Sequence, residues 1–153
     1  MNVASNDCST CSNRIYDPSQ STEAIFSKSN TIQLNVWYLN YLFKIQYGSA
    51  TLNGFFSRDR VCLSTSDDRQ CVWKFDFVAI TSQRGLDDAD GILGLSPNIP
   101  ENGPSFVQAL GDQDIIEKKL ISFVLGTDSS TSKMTFGGYD DLVKNSGSDI
   151  QWH

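Results

Sequence analysis

Ala89-Asp90-Gly91-Ile92-Leu93-Gly94-Leu95 is an apolar run punctuated by glycine. Its apolar side chains show no polar alternation and are too few for a helix, so the run reads as a buried strand that another backbone approaches closely. Upstream, Phe43-Lys44-Ile45-Gln46-Tyr47 alternates, with Phe43, Ile45 and Tyr47 on one face and Lys44 and Gln46 on the other. Gly48-Ser49-Ala50-Thr51 follows; small residues between two strand-like runs predict a β-hairpin whose tip lies near Ser49 to Thr51. A tip this small and polar is expected to be mobile. The partner strand continues through Val61 and Cys62 into a polar loop, Ser64 to Gln70. A new strand returns over Val72 to Ile80, and Thr81 to Asp88 is loop again.

Further from the centre the signals stay short. Thr31 to Tyr47 holds Trp37, Tyr38, Tyr41 and Phe43 among aliphatic and β-branched residues, which favours strand. Residues 5 to 22 are hydroxyl- and Asn/Asp-rich, and Pro18 makes them a loop with a turn. Downstream, Ser105 is the expected N-cap of a helix over Phe106, Val107, Ala109 and Leu110, stopped by Gly111. A second short helix is predicted for Ile115 to Leu120, a strand for Ile121 to Gly126, a turn for Asp128 to Ser132 and a returning strand for Lys133 to Gly138, with Ser148 to Trp152 as one more. Many short strands with a few short helices give a mainly β architecture. No repeat and no linker divides the 153 residues, so one domain, or part of one, is expected over 1–153.

Composition removes several classes of function. A net charge of −6 with 12 scattered Lys and Arg argues against nucleic-acid binding, which needs clustered cations. No apolar run approaches the roughly 20 residues needed to span a membrane. Met1 to Asp7 has neither a basic start nor an apolar stretch, so it does not read as a signal peptide. The four cysteines, Cys8, Cys11, Cys62 and Cys71, permit three pairings. Cys8 with Cys11 and Cys62 with Cys71 is preferred because each pair brackets a short polar loop, and such disulfides imply an oxidising compartment. Their spacing is poor for zinc, and the turn-like residues from Asn13 to Pro18 do not supply the helix a redox Cys-x-x-Cys wants.

The order of the blocks resembles the N-terminal lobe of pepsin-like aspartic proteases. The blocks are a cysteine pair; Tyr16-Asp17-Pro18-Ser19 with Ser21-Thr22; Ile45-Gln46-Tyr47-Gly48-Ser49 with Gly54 and Asp59; Ala89 to Leu95; and Ile121 to Gly126 with Thr135 to Asp140. The resemblance covers nearly the whole chain and implies a partial pepsin-like acid-protease lobe, β-barrel-like, with a flap hairpin and short helices. It makes Phe43 to Asp59 the flap that closes over an extended polypeptide. Tyr47 is the flap tyrosine lining the pocket for the residue before the scissile bond. Gly48, Ser49 and Ala50 are the tip that bonds the substrate main chain, and Ile92 lines the same pocket. Ser148 to Trp152 is the strand leaving for a second lobe, the partner the resemblance implies. No cofactor and no metal is implied, and the location it suggests is secreted or lysosomal and vacuolar. Two departures stand out: Ala50 where a glycine is common, and Asn35 to Asn40 as extra residues before the flap.

Aspartic proteolysis needs two carboxylates so close that they share one proton, one acting as base towards a water while the other polarises the peptide carbonyl. In the family each sits in an Asp-Thr-Gly or Asp-Ser-Gly motif, and neither motif occurs in these 153 residues. Asp90 precedes a glycine but belongs to the structural Asp-Gly-Ile-Leu-Gly block, Asp87-Asp88 is a loop pair facing water, and His153 is too close to the chain's last position to serve a nucleophile. No catalytic residue is therefore assigned. The expectation is an N-terminal lobe of an aspartic endopeptidase that carries flap and pocket, with both Asp motifs and the second lobe lying outside the 153 residues, inactive and poorly soluble alone. The alternative is a non-catalytic remnant that binds extended peptides or a partner protein.

Overall fold

A computed structural model describes residues 1–11, 14–26, 43–64, 67–86, 89–97, 104–128 and 131–139. The chain divides into two compact units, Met1–Ser96 and Pro97–His153. The described residues are mainly β, as a partial pepsin-like lobe requires. The expected strand at Ser148 to Trp152, the extra residues at Asn35 to Asn40, Asp87-Asp88, Trp37 and His153 lie outside the described residues.

The first unit is a six-stranded sheet. Its strands are β1 (Asn2–Ala4), β2 (Ile25–Phe26), β3 (Phe43–Tyr47), β4 (Ala50–Cys62), β5 (Cys71–Arg84) and β6 (Gly91–Ile92), in the order β2-β4-β5-β1-β6 with β3 also on β4. Two long antiparallel strands form the spine. β5 occupies one edge of β4 from Thr51↔Arg84 to Cys62↔Cys71, so β3 and β2 share the other edge in succession. The core follows the alternation: Leu52, Val72, Ala79 and Ile80 are fully buried, with Phe75 and Phe77 beside them. Register shifts at Asn53/Gly54 and Asp59/Val61 change which β4 residues face inward, so that Ala50 and Leu52 are followed by Ser57 and Asp59.

Those two inward polar side chains are satisfied. Ser57 Oγ donates to the Ile25 carbonyl at 3.3 Å. Asp59 accepts from the Tyr16 hydroxyl at 2.9 Å, the Ser21 hydroxyl at 2.8 Å and the Arg60 amide at 2.7 Å. A buried carboxylate with three donors costs little to keep, and here it ties the loop at 16–21 to the sheet. Tyr16 also packs edge-on against Phe77, with ring centroids 5.1 Å apart. Both disulfides have the expected pairing, Cys8–Cys11 and Cys62–Cys71.

Two sequence expectations are corrected here. β5 runs four residues beyond Ile80, because Ser82, Gln83 and Arg84 pair with Asn53, Leu52 and Thr51 at the start of β4. The segment Ala89 to Leu95 is half-buried, and only Gly91–Ile92 is strand. The expected close approach is present: a Cβ at Gly91 would collide with the Asn2 carbonyl. The approaching backbone is β1, a strand the polar start of the chain did not announce.

In the second unit, α1 (Phe106–Asp112) is capped by Ser105, whose hydroxyl accepts from the Gln108 amide at 3.2 Å. Its buried face is Phe106, Val107, Ala109 and Leu110, and Phe106 meets Phe136 edge-on at 6.0 Å. The helix passes through Gly111 to Asp112 instead of stopping there. The reversal falls at Asp114, whose φ is +55°. The amides of Ile115 and Ile116 then turn back to the Leu110 carbonyl, which leaves Ile115 to Leu120 as turns where a second helix was expected. β7 (Ile121–Val124) and β8 (Lys133–Phe136) form an antiparallel pair.

Candidate functional site

The hairpin β3–β4 closes on the pair Tyr47↔Ala50, so its tip is the two-residue loop Gly48-Ser49, one position earlier than the sequence suggests. Gly48 has φ +53°, a left-handed value that two-residue hairpin loops of the primed types demand and that glycine adopts without strain. Tyr47, Gly48 and Ser49 are exposed, whereas Ala50 is buried. From Tyr47 to Gly54 no residue is charged, so the exposed tip offers an aromatic ring, a hydroxyl and main-chain groups.

Tyr47 is not free to swing. Its hydroxyl accepts a hydrogen bond of 2.9 Å from Nδ2 of Asn2. Asn2 is 4% exposed, and its backbone pairs with Ile92 on β6 and with Val78 on β5. One residue therefore touches both the hairpin tyrosine and the strand carrying Ile92. Sequence reasoning missed Asn2 because a lone amide in a polar start carries no periodicity. The signal available was indirect: Gly91 required some backbone against it, and Asn2-Val3-Ala4 supplied one.

The base of the hairpin is fixed by side chains as well as by the ladder. Asn53 Nδ2 donates to the Ser82 hydroxyl at 3.0 Å. At the far end Arg58 and Asp76, cross-strand partners, make a two-pronged ion pair, with Nη2 to Oδ2 at 2.8 Å. Trp73 is half exposed, with the Arg60 guanidinium 5.1 Å above its ring. It is a strand-edge residue, not a ligand cage.

Asp90 is engaged in structure. Its carboxylate accepts from the Arg14 amide at 2.9 Å and its carbonyl from the Ala4 amide at 3.0 Å. Asp17 is held below the usual carboxylate range by the hydroxyl and amide of Ser19. Tyr16 is pushed up to about 12, chiefly by burial and further by the neighbouring Asp59. Among the described residues no group of three or more His, Cys, Asp or Glu has the geometry to hold a metal ion, and no helix is long and apolar enough to cross a membrane. The chemistry within reach of this arrangement is recognition of an extended main chain beside an aromatic ring, by strand-like hydrogen bonding.

Comparison with known proteins places the chain in a family. The family model described as eukaryotic aspartyl protease matches residues 1–152. The chain is 32% identical over 145 residues to vacuolar protease A of Neurospora crassa, covering 89% of this chain and 33% of that protein. It is 35% identical over 151 residues to a probable vacuolar protease A of Arthroderma benhamiae, covering 90% and 34% respectively. An aspartic proteinase of Oryza sativa is 33% identical over 106 residues, which are 63% of this chain and 21% of that protein. The chain thus spans about a third of the length of the curated vacuolar relatives it matches. With its order of strands, its hairpin and a family match along nearly its whole length, the chain belongs to the eukaryotic aspartyl proteases, of the pepsin-like kind.

Proposed function

We propose that this chain is the flap-bearing part of an aspartic endopeptidase, with residues 1–153 forming one partial N-terminal lobe. The observation that carries the reading is the bond from buried Asn2 to the Tyr47 hydroxyl beside the strand of Ile92, because it presents the tyrosine ring at the exposed end of a neutral hairpin. Tyr47 and Ile92 would line the pocket for the residue before the scissile bond. Gly48 and Ser49 would bond the substrate main chain, and buried Ala50 would act through its backbone. The ligand is a polypeptide in extended conformation, added to the hairpin in strand fashion.

The paired carboxylates that activate water would come from Asp-Thr-Gly or Asp-Ser-Gly motifs outside these 153 residues, so the 153-residue chain alone is expected to be inactive. A second protease lobe is the partner. Phe123, Leu125 and Met134, exposed on and beside the β7–β8 hairpin, suit an apolar surface covered by more protein. The names of the fungal relatives favour a vacuolar location, and two disulfides suit an oxidising route to it.

The test is the native product in its source cells, taken by mass, peptide mapping and hydrolysis of an extended peptide in acid. A product well above 17.0 kDa that carries both Asp motifs and cleaves the peptide supports the reading. A 17.0 kDa product that binds the peptide without cleaving it overturns the protease assignment and leaves a binding remnant.

A further inference from the structure

The end of β5 is bordered in an unusual way. From Val78 to Ile80 its outer edge is covered by β1, and Ser5 continues the contact through its amide and its hydroxyl, both donating to the Ile80 carbonyl at 3.0 and 2.7 Å. Beyond that point β1 has ended, yet β5 runs on to Arg84. The covering is taken over by the Cys8–Cys11 ring. The Ser9 amide donates to the Thr81 carbonyl at 3.4 Å, and the Gln83 amide donates to the Thr10 hydroxyl at 2.7 Å.

The other edge of the same four residues carries the hairpin. Gln83 pairs with fully buried Leu52, and Arg84 with Thr51. At Gly85 a Cβ would stand 3.2 Å from the Ser49 carbonyl oxygen and 3.3 Å from the Ala50 Cα. The strand end is thus held between Thr10 on one side and the hairpin tip on the other. Thr10 itself is fixed from two directions. Its oxygen accepts from Gln83, and it lies 3.9 Å from Cys8 Sγ. Cys8 is disulfide-bonded and has no hydrogen to give, so the hydroxyl hydrogen is the one directed at sulfur. A covalent ring of four residues restricts the backbone that carries Thr10.

We propose that Thr10, presented by the Cys8–Cys11 ring, is a positioning residue for the hairpin tip at Tyr47 to Ala50. It holds the outer edge of the strand end on which residues 51–53 are laid. The functional weight of this, though not the coupling itself, rests on the reading of the hairpin as a flap. An unclamped strand end frays by local opening, and the tip loses the surface that sets its height.

The experiment is amide hydrogen exchange on the native full-length product, without ligand, comparing Thr10→Val, Thr10→Ser and the double variant Cys8→Ser/Cys11→Ser with the parent. Thr10→Val keeps the shape and removes the acceptor. It should speed exchange about tenfold at Gln83 and at residues 51–53, as loss of one hydrogen bond would, and leave Arg58, Asp59, Phe75 and Phe77 unchanged. Thr10→Ser should restore slow exchange, and the double variant should reproduce the effect of Thr10→Val in weaker form. Faster exchange confined to Gln83, or spread evenly along β4 and β5, would overturn the proposal. A second arm titrates the parent with a capped, extended apolar octapeptide. Failure of that peptide to protect residues 47–52 would count against the flap reading and would leave the Thr10 result to stand or fall by itself.

Discussion

Asn2 and Tyr47 share one hydrogen bond, but they stand in different surroundings. Asn2 is 4% exposed and Tyr47 is 42% exposed. Tyr47→Phe strands a buried amide donor that water cannot reach, and the expected loss is about 1–3 kcal/mol in chemical unfolding. Asn2→Leu alone leaves a hydroxyl that solvent can reach. Combined with Tyr47→Phe it should recover most of the loss, because both polar partners are then gone. A double-mutant cycle with no coupling between the two positions would remove Asn2 from the site. The glycines separate two kinds of cost. Gly48→Ala meets no atom within 4 Å, so only its left-handed backbone opposes the change, at about 1–2 kcal/mol. Gly91→Ala meets the Asn2 carbonyl, a backbone atom that moves only if β1 and β6 part. It should therefore destabilise more than Gly48→Ala in the same denaturant series.

At the scale of elements, the β4–β5 hairpin is closed twice, by Cys62–Cys71 at its turn and by Arg58–Asp76 further along. The chain-entropy account of disulfides gives about 2–3 kcal/mol for a ring of the Cys62–Cys71 size, and less for the Cys8–Cys11 ring. Replacing each pair by serine should reproduce that order in thermal unfolding, with the smaller ring showing its effect at the hairpin tip instead. The hairpin was legible in the sequence because Phe43 to Tyr47 alternates and Gly48-Ser49 punctuates it. The length of β5 was not. Thr81, Ser82 and Gln83 are polar and look like loop, and what makes them strand is tertiary: Leu52 on one side and the Thr10 hydroxyl on the other. The helix stop was misplaced for a similar reason. Gly111 stays within the helix against the stem of Lys119, and Asp114 makes the turn.

For the whole molecule, titration gives a test at each end of the pH scale. Tyr16 is pushed from 10.0 to about 12. A raised value favours the protonated, neutral form in the fold, so its contribution is complete below pH 10 and is lost as pH rises from about 10 to about 12. Urea midpoints should fall across that window, and Tyr16→Phe should flatten the fall. Asp17, Asp67 and Asp112 are held below 3.8 by Ser19, Arg69 and Lys119 respectively. Their contributions are present above that value and are lost as pH falls below it, so these three groups do not oppose folding in mild acid. The family was readable because five blocks occur in the right order, although no single block would have sufficed. Tyr47, Gly48, Ser49 and Ile92 could be proposed from the sequence, whereas Asn2 and Thr10 could not, because their hydrogen-bond partners lie 45 and 73 residues away.

The central claim is that the β3–β4 hairpin is a surface for an extended peptide, and backbone amide shifts during titration of the labelled full-length product, at neutral pH, with the capped apolar octapeptide test it most directly. Saturable shifts centred on Gln46 to Leu52 and on Ile92, weakened by Tyr47→Ala, are the predicted result. Shifts absent from that hairpin, or centred on another face of the chain, would contradict it.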